Sequence, residues 1–78
     1  MSSKKPPMFF GDRLFAERRA NGLTQERLGT IARVGSGQWI GQLEQRADPP
    51  TIDVCQRLAA VLKVRWEWLA TGEGKRTC

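Results

Sequence analysis

Residues 23–44, LTQERLGTIARVGSGQWIGQLE, decide the fold of this chain, because they hold two short helical patterns separated by a glycine-bearing break. In the second pattern, Ile40 and Leu43 are three residues apart and share one face of a helix, while Gln38 and Gln42 are four apart and share another. A short helix that two aliphatic side chains anchor, and that presents two amides outward, can read base edges. The stretch therefore predicts a helix-turn-helix.

The break between the two helices has the residues that a sharp turn needs. Gly35 and Gly37 free the backbone, and Ser36 can cap the second helix as Thr24 can cap the first. Gly29 lies within the first helix, where glycine costs up to about 1 kcal/mol relative to alanine. A residue without a side chain is expected there if the following helix crosses closely.

Three further helices are predicted around this pair. The five helices are expected at about residues 10–21, 24–33, 37–45, 52–62 and 66–70, and Pro49-Pro50 breaks the chain between the third and the fourth. We expect a flexible N-terminal arm over residues 1–8, a single domain over 9–72 and a disordered tail over 73–78.

The composition favours a polyanionic partner. Of the 78 residues, 13 are Lys or Arg and 8 are Asp or Glu, which gives a net charge of +5. A solvated basic surface is the alternative reading of the charge alone. No apolar run approaches the roughly 20 residues of a membrane span, and no signal-peptide segment follows the N-terminal lysines, so we expect no membrane partner and a cytoplasmic protein.

Catalysis and metal binding are not expected. The chain has no histidine, its carboxylates show no paired arrangement, and no phosphate-binding glycine motif is present. Two cysteines alone do not make a zinc site, so Cys55 is interpreted as a half-buried hydrophobe and Cys78 as an exposed free thiol. The sequence thus predicts no enzyme, no cofactor and no small-molecule substrate.

Three motifs in order carry a resemblance to a known family: GLTQERL (residues 22–28), QWIGQLEQ (38–45) and LAAVLKVRWEWLATG (58–72). With them the chain resembles, over residues 9 to about 74, the Cro and repressor family of helix-turn-helix transcription regulators, the lambda-repressor-like or Xre-like domains. The resemblance implies an all-α, compact five-helix DNA-binding domain. It also implies a small phage or prophage repressor of the Cro type that binds a pseudo-palindromic double-stranded operator as a homodimer.

The resemblance also implies roles for individual residues. Gln38 and Gln42 match positions that read bases. Gln25 matches a glutamine that meets a phosphate and braces the recognition helix. Arg18 and Glu44 match an ion pair that ties the first helix to the third.

Other roles follow from position, and several stay open. Arg46, Arg13 and Thr24 are further candidates for phosphate contact, although a solvated surface role for Arg13 is equally consistent with the sequence. Arg19 and Arg27 are expected to be exposed charges. Trp39 is a candidate for base contact through a thymine methyl, for filling the turn, or for the core.

Two tryptophans in the fifth helix cannot both face one core. We assign Trp68 inward and expect Trp66 to be partly exposed at a dimer interface, with coverage of its own core as the alternative. The main alternative for the whole chain is an antitoxin or another module that docks a protein.

The chain departs from the family pattern in the turn. The segment from Leu28 to Ile40 is one residue longer than the common spacing. Arg33 stands where most members have glycine, so we expect the glycine role to pass to Gly35. Gly37 stands where a further polar base reader is often found.

Overall fold

The computed structural model describes residues 9–77, and within that range the chain folds into five helices with no strand. The helices are α1 (Phe10–Ala20), α2 (Gln25–Ala32), α3 (Gly37–Glu44), α4 (Ile52–Leu62) and α5 (Trp66–Thr71). The predicted all-α class is confirmed, and each predicted helix end lies within one residue of the observed one. The expected N-terminal arm and Cys78 lie outside the described residues.

Hydroxyl caps begin the three central helices, as the sequence predicts. The side chains of Thr24, Ser36 and Thr51 each accept a hydrogen bond from the backbone amide three residues later, at 3.0, 3.2 and 3.4 Å. Each bond satisfies one of the amides that a helix start leaves without an intrahelical partner. Local sequence therefore sets where α2, α3 and α4 begin.

Helix α1 begins differently, because backbone carbonyls from another part of the chain meet its first amides. The amide of Phe10 donates to the carbonyl of Ala47 at 3.2 Å, and the amide of Gly11 donates to the carbonyl of Arg46 at 2.9 Å. A Cβ on Gly11 would overlap the carbonyl group of Glu44. The start of α1 is thus seated directly on the end of α3.

All five helices contribute to one core. Ile40 and Leu43, the predicted anchors of α3, are both 0% exposed. Helix α3 packs against α2 and α1, and α4 packs against α2 and α5. The buried apolar residues are Phe10, Leu14, Leu28, Ala32, Ile40, Leu43, Cys55, Leu58, Ala59, Leu62, Leu69 and Ala70.

Cys55 is more deeply buried than the half-buried position expected for it. Burial raises the pKa of its thiol, because the charged thiolate loses hydration there.

Within residues 9–77, none of the helices combines the length and the hydropathy that crossing a bilayer requires.

Helices α2 and α3 touch backbone to backbone. A Cβ on Gly29 would overlap the carbonyl oxygen of Gly35 and lie 3.1 Å from that of Ser36. A Cβ on Gly37 would lie 2.9 Å from the Cα of Glu26. The close crossing that Gly29 predicts is confirmed, and Gly37 adds a second contact of the same kind.

Arg33, and not a glycine, ends α2 in the left-handed conformation. Its φ and ψ are 59° and 42°, and the guanidinium of Arg57 donates to its carbonyl at 3.0 Å. The expectation that Gly35 takes over this role is therefore wrong at the helix end. Gly35 also has a positive φ, 146°, but it lies further along the turn, against the ring of Trp39.

The segment after α5 is attached to the domain, contrary to the expected disordered tail. The amide of Arg65 donates to the carbonyl of Arg76 at 2.8 Å, and the Arg76 guanidinium pairs with Glu17 at 3.1 Å. Trp68 packs against the core, in line with its inward assignment, but it is only half-buried, as Trp66 is, whereas Leu69 is fully buried.

The α2–α3 crossing makes a stability prediction for Gly29→Ala. Alanine gains up to about 1 kcal/mol of helix propensity, but its Cβ meets backbone that cannot rotate away, so we expect a net loss of about 2 kcal/mol. The matched control is Gly41→Ala in α3, whose Cβ would have the side chain of Gln25 as its nearest neighbour, at 3.3 Å, and a side chain can move where backbone cannot. Urea unfolding measures both. A Gly29→Ala variant at least as stable as the Gly41→Ala variant would contradict the close crossing.

Candidate nucleic-acid interface

Helix α3 has one face in the core and the opposite face in solvent. Gln38 and Gln42 are exposed, and neither side-chain amide has a hydrogen-bond partner among residues 9–77. The buried Ile40 and Leu43 hold the other face. The predicted orientation of the four side chains is confirmed, so both amides are available to a ligand outside the protein.

A nearly buried carboxylate at the end of α3 joins three helices. Glu44 accepts from Arg18 of α1 through Nε at 2.5 Å, and from Gln25 of α2 through Nε2 at 3.0 Å. The side chains of Arg18 and Glu44 are only 10% and 6% exposed. Arg18 also donates to the carbonyl of Leu23 at 2.8 Å. The expected pairing of Arg18 with Glu44 is confirmed, and Gln25 joins it.

Gln25 braces α3 in the way that the resemblance implies. Its amide lies over Gly41, where a Cβ would come within 3.3 Å of Nε2, and the same nitrogen donates to Glu44. The residue is half-buried. Its contact with a phosphate stays a prediction.

Arg13 has a structural role instead of the expected phosphate contact. It is 3% exposed, and its guanidinium donates to the carbonyls of Leu69 at 2.9 Å and Ala70 at 3.0 Å, at the end of α5. Burial lowers the pKa of this guanidinium, and the nearby Asp12 opposes the shift. Because the group is turned inward and bonded there, the assignment of Arg13 to the DNA surface is wrong.

A sequence signal for this placement exists. Arg13 falls between Phe10, Leu14 and Glu17, all of which are buried, at the three- and four-residue spacings of one helix face. The periodicity therefore places Arg13 on the inner stripe of α1. A long cation in such a position can bury its stem while its head meets the carbonyls of a neighbouring helix end.

The remaining expected phosphate contacts lie on the surface. Arg46, which follows α3, and Thr24, which caps α2, are both exposed. Arg27 is exposed as expected. Arg19 is exposed too, and its guanidinium lies 5.5 Å from the ring centre of Phe15, where it gains a cation–π contact. Contact of Arg46 or Thr24 with a phosphate stays a prediction.

Trp39 fills the turn and contacts the core at once. Its ring packs so closely on Gly35 that a Cβ there would lie 2.7 Å from Cδ1, and the half-buried side chain also packs against the core. What is left of its surface lines an open trough between α3 and α4, with Arg46, Pro49, Pro50, Thr51 and Val54. Its contact with a base stays a prediction.

Trp66 is half-buried and lines a second groove, between α4 and α5, together with Ala60 and Val64. It packs on its own core and is partly exposed, as expected. A dimer contact through it stays a prediction.

No match was found when the chain was compared with protein-family models, with curated proteins and with solved structures. The functional proposal therefore rests on the five helices and on the geometry of α3.

In the part of the chain that the structure describes, no three His, Cys, Asp or Glu residues are grouped to hold a metal ion.

The contacts of Glu44 predict a large effect of its removal. Glu44→Ala leaves the Arg18 guanidinium without its partner in a nearly dry site, so we expect a loss of about 3 kcal/mol in the free energy of unfolding. Gln25→Ala removes one hydrogen bond and should cost about 1 kcal/mol. The control is Gln45→Ala, an exposed neighbour, at less than about 0.5 kcal/mol. Urea unfolding measures the three free energies of unfolding. If Glu44→Ala costs no more than Gln45→Ala, Glu44 does not brace α3.

Proposed function

We propose that this protein is a sequence-specific double-stranded DNA-binding regulator of transcription, a small repressor of the Cro type found in phages and prophages. In this proposal α2 and α3 form a helix-turn-helix, and α3 is the recognition helix. One observation carries the proposal: Gln38 and Gln42 are exposed and have no hydrogen-bond partner among residues 9–77, on a short helix that Ile40 and Leu43 anchor in the core.

The chemistry of the two amides suits base reading. A glutamine side chain offers one donor and one acceptor, which match N7 and the N6 amino group of adenine in the major groove. Such a pair contributes about 1–3 kcal/mol of discrimination against a wrong base. Gln38 and Gln42 lie about one helical turn apart, so they can reach neighbouring base pairs.

The rigidity of α3 supports the same proposal. A reading helix must hold its amides in a fixed position relative to the duplex, because lost conformational freedom lowers affinity. Glu44 bonds α3 to α1 and α2, and Gly37 seats it against the backbone of Glu26. The donors Arg46, Gln25 and Thr24 would add phosphate contacts, which position the protein without specifying sequence.

Binding as a homodimer completes the proposal. One domain of this size covers half of an operator, and two half-sites about one helical turn apart match a protein dimer with two-fold symmetry. The groove at Trp66 between α4 and α5 is the proposed contact.

A protein-docking module, such as an antitoxin, is the second candidate. It is favoured by large apolar side chains on the surface, among them Ile52 at 59% and Phe15 at 44% exposure. Single exposed apolar residues are common on soluble proteins, however. DNA binding is therefore the proposal that we put first.

The test of DNA reading is selection of bound duplexes from a random pool by the purified protein. We expect one half-site to be enriched, and Gln38→Ala or Gln42→Ala to relax preference at one base pair each by about 5- to 150-fold. Gln56→Ala, at an exposed glutamine on α4 outside α2 and α3, is the matched control and should leave base preference unchanged. Affinity should also fall steeply as salt rises.

Two outcomes would count against the proposal. A wild-type protein that enriches no sequence would remove DNA reading altogether. If the wild-type protein selects a sequence and both glutamine variants keep the same base preference, residues other than Gln38 and Gln42 contact the bases.

Sedimentation equilibrium tests the dimer. Wild-type protein should populate dimers at high concentration, and Trp66→Ser should shift the equilibrium toward monomer by about tenfold or more, because aromatic anchors carry much of an interface. Ile52→Ser, at an exposed apolar residue outside the α4–α5 groove, is the control and should leave the equilibrium unchanged. A wild-type monomer at every concentration would exclude the dimer.

A further inference from the structure

We infer that Trp39 contacts the sugar–phosphate backbone of the bound DNA, and that it does so together with Arg46 without reading a base. The inference rests on the proposed function, since it places a DNA strand beside α3. It concerns the trough defined above, which Trp39 and Arg46 line together with Pro49, Pro50, Thr51 and Val54.

The position of Trp39 around α3 places its side chain at the flank of the face that carries Gln38 and Gln42. At roughly 100° per residue, Trp39 is about 80° away from the direction midway between Gln38 and Gln42. It stands at the border between the amide face and the buried face. If the amides point at base edges, a residue on this flank faces the wall of the groove, where the sugar–phosphate strand runs.

The composition of the trough is the second argument. An indole ring, two proline rings and a valine form apolar walls that suit the carbon atoms of a deoxyribose. Arg46 supplies a guanidinium that is exposed and has no ion pair among residues 9–77. A cation beside an apolar wall matches the alternating phosphates and sugars of one DNA strand. A thymine methyl, by contrast, would be matched by the apolar wall and would not require a cation beside it.

The fixed placement of Trp39 is the third argument. Its ring is held against Gly35 and the core in the free protein, so contact with a strand costs little additional side-chain freedom. The loop that carries Arg46 is also fixed, because the carbonyls of Arg46 and Ala47 accept from the first two amides of α1.

The experiment measures the affinity of wild type, Trp39→Ala and Arg46→Gln for two duplexes of equal length: the one that wild type selects, and a scrambled one. We expect each substitution to lower both affinities by a similar factor, about tenfold, while base preference is retained. Arg46→Gln should also reduce the slope of log affinity against log salt by about 1. Arg19→Gln, at an exposed arginine of α1, is the control.

Modified duplexes identify the contact. A neutral methylphosphonate at one position of the selected duplex should weaken wild type and leave Arg46→Gln almost unaffected, because that variant has already lost the contact. Replacing each thymine by uracil deletes only a methyl group and should not reproduce the loss seen in Trp39→Ala. Circular dichroism checks the fold. If Trp39→Ala is unfolded, Trp39→Leu, which keeps an apolar side chain against Gly35 and the core but lacks the indole ring, replaces it in each measurement.

Three results would overturn the inference while DNA binding stands: unchanged affinity in both variants, a loss confined to one base pair in Trp39→Ala, or a uracil substitution that reproduces the loss. If wild type binds neither duplex, the proposed function fails and this inference fails with it.

Discussion

The carboxylate of Glu44 is the point on which the arrangement of helices depends. It lies almost out of solvent at the end of α3, so its charge is tolerated only because Arg18 and Gln25 donate to it. Those donors come from α1 and α2. A single acidic group thus fixes α3 relative to both neighbours, and the direction of the exposed amides follows from that fixed position.

Glycine acts with Glu44 by removing side chains where helices meet. Gly29 and Gly37 let α2 and α3 approach at backbone distance, and Gly11 lets α1 rest on the end of α3. Apolar burial holds the helices together without specifying direction, whereas backbone contact and charge-assisted hydrogen bonds allow one arrangement. The proposed reading of DNA needs that second kind of constraint.

Much of the fold can be predicted because residues close together in the sequence determine it. Hydroxyl caps and apolar spacing mark the helices, and Ile40 and Leu43 give the inner face of α3, from which the outward direction of Gln38 follows. The Arg18–Glu44 pair was predicted only through a family resemblance, since no spacing rule joins residues so far apart in sequence.

The features that the sequence does not predict depend on contacts between residues far apart in the chain. Arg13 is expected at a phosphate or in solvent, yet its spacing from Phe10 and Glu17 places it on the inner stripe of α1, where carbonyls of α5 accept from it. Arg33 was not expected to be left-handed, because residues with a side chain rarely are, yet the Arg57 bond to its carbonyl helps to hold it there. The attachment of Arg76 to Glu17 joins distant segments and leaves no local signal.

The guanidinium of Arg13 also makes the stability of α5 depend on α1. Helix α5 has only six residues, too few to persist in water without tertiary support. Its terminal carbonyls obtain part of that support from a side chain rooted in α1. Helices α1 and α5, which lie near opposite ends of the described residues, therefore stabilise each other, and a displacement of α1 would remove part of the support that α5 needs.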